Sequence, residues 1–426
     1  MSSKKKMLTS ATKLFLVAAL SLSSFSCSRT SLLSSSDTKA TTSSSSNNQV
    51  KVKSSSVINN QVVVKFSSSV PSTSELVKFG NKYNGKIIKI YTRLNITILQ
   101  YSSSVDISER IKAISNDSLV QYAEPNYKYS VDYTVNDPKA SLQNGLALAS
   151  LAKAWDITMG DPKIIIAVID TGADLNHPDL KNKIVSGYNV LTQGATKPQD
   201  DNGHGTHASG IAGAETDNKI GGAGAAPNCK IMPIKVLDAH GGGGPADVAL
   251  GIVWAVDHGA RVLNLSLGGP DTKTFQKATE YALMKNVVVV AAMGNDGQRV
   301  QAYPAAYKGV ISVGSVDPDS KKSDFSNFGD WISVVAPGRH IYSTMTTGSS
   351  TMTTFEGIQN NYDYLDGTSM ACPMVAGIVG LVLSRHPEFT PAEVKERLES
   401  TARDLGTKGY DEDYGFGLVN ASKAVL

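Results

Sequence analysis

From residue 136 onward the chain carries five short runs of almost uninterrupted apolar residues, Lys163–Ile169, Lys230–Leu237, Ala260–Ser266, Val287–Ala292 and Gly309–Gly314, which alternate with stretches of helical character. No other feature restricts the fold so tightly. A strand open to water on one face alternates apolar and polar residues, whereas a strand covered on both faces does not, because both sets of side chains enter a core. Covered strands alternating with helices imply an α/β fold with a doubly wound, mostly parallel sheet. In such sheets chemistry collects at the carboxyl ends of the strands.

The texture before residue 136 is different. Alternating runs at Val62–Phe66, Gly85–Ile90 and Asn95–Leu99, with helical stretches at 74–84 and 107–116, read as β-α-β-β-α-β, a small α+β unit of the ferredoxin-like type. Residues 28–56 are rich in Ser, Thr, Asn and Lys and nearly devoid of large apolar side chains, so they read as a disordered tether. At the N-terminus Lys4, Lys5 and Lys6 precede an apolar run, Leu14–Leu22, that is too short for a stable bilayer span and reads as an export signal. The run ends at Ser24-Phe25-Ser26-Cys27, which resembles a bacterial lipobox with Cys27 as the lipidated residue. Ordinary signal-peptidase cleavage, with Cys27 incidental, is the alternative. The expected organisation is therefore 1–27 signal, 28–56 linker, 57–135 small domain and 136–426 large domain.

Composition removes some functions. A formal charge of +3 on 426 residues, with no basic block beyond the extreme N-terminus, leaves no footprint for nucleic acid. Past the signal only Cys229 and Cys372 remain, in apolar segments without metal or redox spacing, and they are expected to be buried thiols.

Three motifs fall where a doubly wound sheet would place a site. Asp170 ends an apolar run in Ile169-Asp170-Thr171-Gly172. His204 opens a helix in Asn202-Gly203-His204-Gly205-Thr206-His207, and Ser369 opens another in Gly367-Thr368-Ser369-Met370-Ala371. A hydroxyl is a poor nucleophile near neutral pH; it needs a base within hydrogen-bond reach, and that base needs an orienting carboxylate. Asp170, His204 and Ser369 supply those parts, and the chain order Asp, His, Ser is that of subtilisin. On these motifs, together with Ala291-Ala292-Met293-Gly294-Asn295 and Leu265-Ser266-Leu267-Gly268-Gly269, the chain resembles the subtilisin-like serine proteases from about Asn136 to Leu426. The exit Tyr122-Ala123-Glu124-Pro125-Asn126-Tyr127 resembles that of their propeptide.

The resemblance implies a secreted serine endopeptidase made as an inactive precursor. Ser369 would be the nucleophile, His204 the general base and then acid, Asp170 its orienting partner and Asn295 the oxyanion donor. Ser266, Leu267, Gly268 and Gly294 would bind substrate, the primary pocket being walled by 266–268 and 292–294 with Ala302 near its floor. These small uncharged walls suggest apolar or aromatic residues before the cut. Asp137 and Asp179, the Asn218 side chain and the backbone oxygens of Thr216, Ile220 and Gly222 would hold a structural calcium ion, which takes six to eight oxygens. The Tyr303-Pro304 bond would be cis. Expected partners are protein or peptide substrates and the chain's own propeptide as intramolecular inhibitor, with membrane contact only through the lipid anchor and a monomeric enzyme at the cell surface or released. Zinc at His204 and His207 lacks a third ligand, and Gly221–Gly224 follows no strand as a dinucleotide loop would. Met370 reads as a packing residue, open to oxidation if exposed. A catalytically inactive surface-binding protein on the same scaffold is the rival reading.

Overall fold

The computed structural model describes residues 57–127 and 134–426. The expected export signal and Ser-rich tether lie outside the described residues. The chain folds as two compact units, the first ending at Tyr129 and the second beginning at Ser130.

The first unit runs β1 (Val57–Phe66), α1 (Thr73–Lys82), β2 (Lys86–Tyr91), β3 (Ile96–Gln100), α2 (Ile107–Ser115), β4 (Val120–Tyr127). Its antiparallel sheet has the order β2-β3-β1-β4, so the two halves of the repeat interleave. On β1 every second side chain, Val62, Val64 and Phe66, is buried, and these meet Leu76 and Phe79 of α1 and Ile114 of α2 in one core. The expected α+β unit is thus present.

The second unit begins with two short helices, α3 (Asn144–Leu148) and α4 (Leu151–Trp155). Then follow β5 (Ile165–Asp170), β6 (Tyr188–Asn189), α5 (His204–Gly213), β7 (Lys230–Lys235), α6 (Pro245–Asp257), β8 (Val262–Leu265), α7 (Lys273–Met284), β9 (Val288–Ala292), β10 (Ile311–Val316) and β11 (Val334–Pro337). It closes with β12 (Ile341–Thr344), α8 (Thr351–Phe355), β13 (Tyr362–Leu365), α9 (Thr368–Arg385), α10 (Pro391–Thr401) and α11 (Ala421–Ala424). Seven strands pair in parallel in the order β11-β10-β9-β8-β5-β7-β6. From β5 the chain goes to the edge strand β6, returns to β7 between them, then crosses to β8 on the other side of β5. The switch point therefore lies between β5 and β8.

The apolar runs have the physical cause inferred for them. Ile166 and Val168 of β5 join one core with α5 and α9, while Ala167 and Ile169 join a second core with α6 and α7. The central helix α9 carries Pro373, Gly377 and Gly380 and has poor intrinsic propensity, yet fifteen of its residues are buried. Each large apolar side chain withdrawn from water contributes roughly 1.5–3 kcal/mol, so packing fixes this helix. Long and apolar enough to cross a membrane, it is 83% buried within the second unit.

Candidate active site

Asp170 is the last residue of β5 and is fully buried. Its Oδ1 accepts the Thr171 backbone N–H at 2.7 Å, and the His204 imidazole Nδ1 lies 2.8 Å from Oδ1 and 3.0 Å from Oδ2. His204 opens α5, and the turn before it is shaped by Asp200, whose Oδ1 accepts the Asn202 and Gly203 N–H groups while Oδ2 accepts Thr206 N–H and hydroxyl. Burial would lower the His204 pKa; the Asp170 carboxylate, by charge and hydrogen bond, outweighs it, and the net displacement is upward. His207, one turn later, is buried with Nε2 on the Asp363 carbonyl at 3.2 Å, and desolvation drives its pKa down to about 3. It is a neutral packing residue.

Ser369 is the second residue of α9. Its hydroxyl donates to the Ser266 carbonyl at 3.1 Å, and the Ser266 hydroxyl donates back to the Ser369 carbonyl at 2.8 Å. The second bond has a covalent cause. Pro373 stands four residues after Ser369 and has no N–H, so the Ser369 carbonyl loses its helical partner and the Ser266 hydroxyl takes that place. Ser266 was expected to wall the primary pocket. Its side chain instead braces α9, and the residue lines the neighbouring cavity that holds His204.

Asn295 follows β9. Its side-chain oxygen accepts the Thr368 N–H and hydroxyl, each at 2.9 Å. A backbone N–H can only face an oxygen, so the amide orientation is fixed and Nδ2 is left as a donor beside Ser369. Thr368 is a positioning residue that its sequence neighbours did not reveal.

Two cavities adjoin along Leu267, Gly268, Gly269 and Pro270. One, about 420 Å³, is lined by Ser369, Asn295, Ala292, Gly294 and Ala302 among others; a Cβ at Gly268 or Gly294 would stand 3.2 or 3.6 Å from that of Ala302. Met293 is instead turned into the core. The other, about 500 Å³, is bordered by His204, Ser266, Leu237 and Gly241–Gly243. The Tyr303-Pro304 bond is cis. Met370 is buried, so the condition attached to its oxidation is not met, and Cys229 and Cys372 are both buried free thiols. Desolvation raises both their pKa values, Cys229 to about 11.

Asp137 and Asp179 come together at the loop 215–222. Asp137 accepts the N–H groups of Asp217 and Asn218 at 2.8 and 3.1 Å. Asp179 accepts Asn218 Nδ2 at 2.7 Å and the Tyr362 hydroxyl at 2.9 Å. Burial, with a smaller contribution from the Asp137 charge, pushes Asp179 up to about 6, and no lysine or arginine pairs with either carboxylate among the described residues. Two buried carboxylates beside loop carbonyls and lacking a countercharge suit a hard cation. Asn218 departs from the expectation, since its side-chain oxygen is taken by the Ile220 N–H at 2.9 Å and it turns nitrogen towards Asp179. No group of three or more His, Cys, Asp or Glu side chains arranged to hold a metal ion occurs among the described residues.

A doubly wound sheet with Asp, His, Ser and an amide at its carboxyl edge defines a class, the serine-type endopeptidases built on an α/β scaffold. Comparison with known proteins narrows it. The subtilase family profile matches residues 161–417, and the fervidolysin N-terminal prodomain profile matches residues 43–126. A thermophilic serine proteinase of Bacillus sp. (strain AK1) is 43% identical over 318 residues, covering 74% of this chain and 75% of that protein. Thermitase of Thermoactinomyces vulgaris is 43% identical over 296 residues, 69% of this chain and 99% of the other. The crystal structure of fervidolysin from Fervidobacterium pennivorans, described as a keratinolytic enzyme related to subtilisin, superposes with a TM-score of 0.64 at 30% identity, covering 88% of this chain and 62% of that one. The chain belongs to the subtilase family and is a subtilisin-like serine endopeptidase with a prodomain. An inactive binding scaffold is not favoured.

Proposed function

We propose that Ser369 Oγ attacks the carbonyl carbon of a peptide bond while His204 Nε2 takes its proton. The Oγ–C bond forms, the C–N bond breaks, and the same proton passes to the leaving amine. Water then hydrolyses the ester, with His204 again acting as base. Asp170 holds the imidazole with Nδ1 protonated and stabilises its charged form. Asn295 Nδ2 and the Ser369 N–H receive the oxyanion, assisted by the positive end of α9. The observation that carries this reading is that His204, held by Asp170, lines one of two adjoining cavities, while a serine at a helix N-terminus and an amide of fixed orientation line the other. The hydroxyl's bond to Ser266 O is consistent with a resting rotamer, since catalytic hydrogen bonds in free enzymes tighten on substrate binding. Leu267, Gly268 and Gly294 bind the substrate backbone and the residue before the cut.

The first unit acts as intramolecular inhibitor and is removed by self-cleavage between about Tyr127 and Asp137. The precursor is exported on residues 1–27, with the lipid at Cys27 as anchor. Cleavage then leaves the enzyme free or held only by its own prodomain. Asp137, Asp179 and the carbonyls of Thr216, Ile220 and Gly222 hold the calcium ion, whose contribution is to neutralise the paired carboxylates and fix the loop. Purified precursor incubated with an unstructured protein, with and without a serine-reactive inhibitor, should yield inhibitor-sensitive fragments and a new N-terminus within 127–137. A Ser369→Ala precursor processed normally in a protease-free host would overturn self-cleavage.

A further inference from the structure

Between β12 and β13, which pair in antiparallel fashion from Ile341↔Leu365 to Thr344↔Tyr362, the chain makes an excursion over residues 345–361 that contains α8. The excursion is pinned where it leaves the hairpin. Ser343 and Thr344 hydroxyls donate to the carbonyls of His207 and Thr206, and the Thr347 N–H and hydroxyl both donate to Asp174 Oδ2. It is pinned again on the turn that leads into His204: Thr351 N–H donates to Asp201 O and Met352 N–H to Asn202 O, each at 3.0 Å. Gly203, at φ +119, has Met345 Cε and Met352 Cβ only 2.8 and 3.4 Å from where a Cβ would stand, so α8 sits hard against this turn. A capping box between Ser350 and Thr353 fixes where the short helix starts.

This packing carries Met352 and Glu356 into the wall of the larger cavity, on the side of His204 and Asn202. Besides the imidazoles of His204 and His240, Glu356 is the only ionisable side chain on that lining. It is exposed, and no ion pair or side-chain hydrogen bond engages it among the described residues. An unpartnered carboxylate on the wall of a cleft that carries no other acidic side chain attracts cations and disfavours anions.

We propose that α8 is a specificity element, and that Glu356 selects a lysine or arginine at the second residue before the cut (P2). The assignment to P2 follows from the two cavities. With the residue before the cut (P1) in the cavity of Ser369, Asn295 and Gly294, the next side chain of an extended peptide points to the opposite face, towards His204, Asn202 and the α8 wall. The inference rests on the proposed peptidase reaction.

The test uses the mature enzyme and three quenched fluorescent peptides identical except for Lys, Ala or Glu at P2, plus a second set varied two positions further from the cut. The readout is the kcat/KM ratio of the Lys to the Glu peptide within each enzyme, which does not depend on the folded fraction. An exposed charge pair stabilises by up to about 1 kcal/mol, so the wild-type ratio is expected to be roughly fivefold in favour of Lys at low salt and to shrink towards unity in high salt. Glu356→Gln should bring the ratio near unity at any salt, and Glu356→Lys should invert it. Equal ratios in wild type and Glu356→Gln overturn the proposal, as does a charge preference that appears only in the second peptide set. If cleavage survives Ser369→Ala, the peptidase reading fails. If cleavage needs Ser369 but the ratios do not move with Glu356, only the present inference fails.

Discussion

At the scale of single residues, the pH response of the enzyme follows from one contact. Asp170 outweighs burial and raises the His204 pKa, and the proposed base works only as the neutral imidazole, so the rising limb of kcat/KM should lie above the unperturbed value of about 6.5. Asp170→Asn should pull that limb to lower pH and reduce kcat by about 10⁴-fold; an unmoved limb would show that another group controls it. Removing the Asn295 amide by Asn295→Ala should lower kcat by about 10²–10³-fold with little change in KM, since the donor serves the transition state. Ser266→Ala should act differently. It leaves the Ser369 carbonyl without the partner that Pro373 denies it, and thermal unfolding should report a loss of roughly 1–3 kcal/mol. That double role was hidden in the sequence, where Ser266 read as pocket wall, because the link joins residues 103 apart in sequence. Asp170, His204, Ser369 and Asn295 were legible because each chemistry-bearing residue stands beside a local signal, a strand end or a helix start.

Among elements, β5, β7, β8, β9 and β10 were read to within a few residues because a strand covered on both faces writes its burial into consecutive side chains, whereas the shorter β6, β11, β12 and β13 were not read. The start of α10 carries a local cap, for Thr390 accepts the Glu393 N–H and Pro391 occupies the first turn. Thr390→Ala should therefore destabilise the second unit by about 1 kcal/mol in denaturant unfolding, and an unchanged midpoint would show that this cap is redundant. The excursion 345–361 was not legible. Its residues are mostly polar and its course is set by backbone bonds to Asp201 and Asn202, about 150 positions earlier, which no local pattern announces. The loop 215–222, proposed to hold calcium, stands between these cases. Its acidic members were visible, but the orientation of Asn218 depends on which group meets the Ile220 N–H.

For the whole molecule, the proposed calcium site at the paired carboxylates predicts that stability depends on a cation. Gly221, at φ +50, could carry no side chain, since a Cβ there would fall 1.8 Å from Asp179 Oδ2, so the loop is closed tightly around the acid. A cation present at a hundred times its dissociation constant stabilises the native state by about 2.7 kcal/mol. For a domain of this size that corresponds to a Tm shift of about 4 °C. Calorimetry of the Ser369→Ala protein should show this loss on chelation and its recovery with calcium, and Asp179→Asn should abolish the difference. Equal Tm values with and without the chelator would remove the cation from the account.

The proposed nucleophile rides on the buried helix α9, while its proposed base rides on α5 and its carboxylate on β5. Any opening that loosens α9 dismantles the reacting group before it frees the chain, so a partly unfolded copy is prey and not predator. On the proposed reaction, intact molecules in a concentrated population should therefore cleave the opened ones, and the working lifetime should follow how often that buried helix lets go.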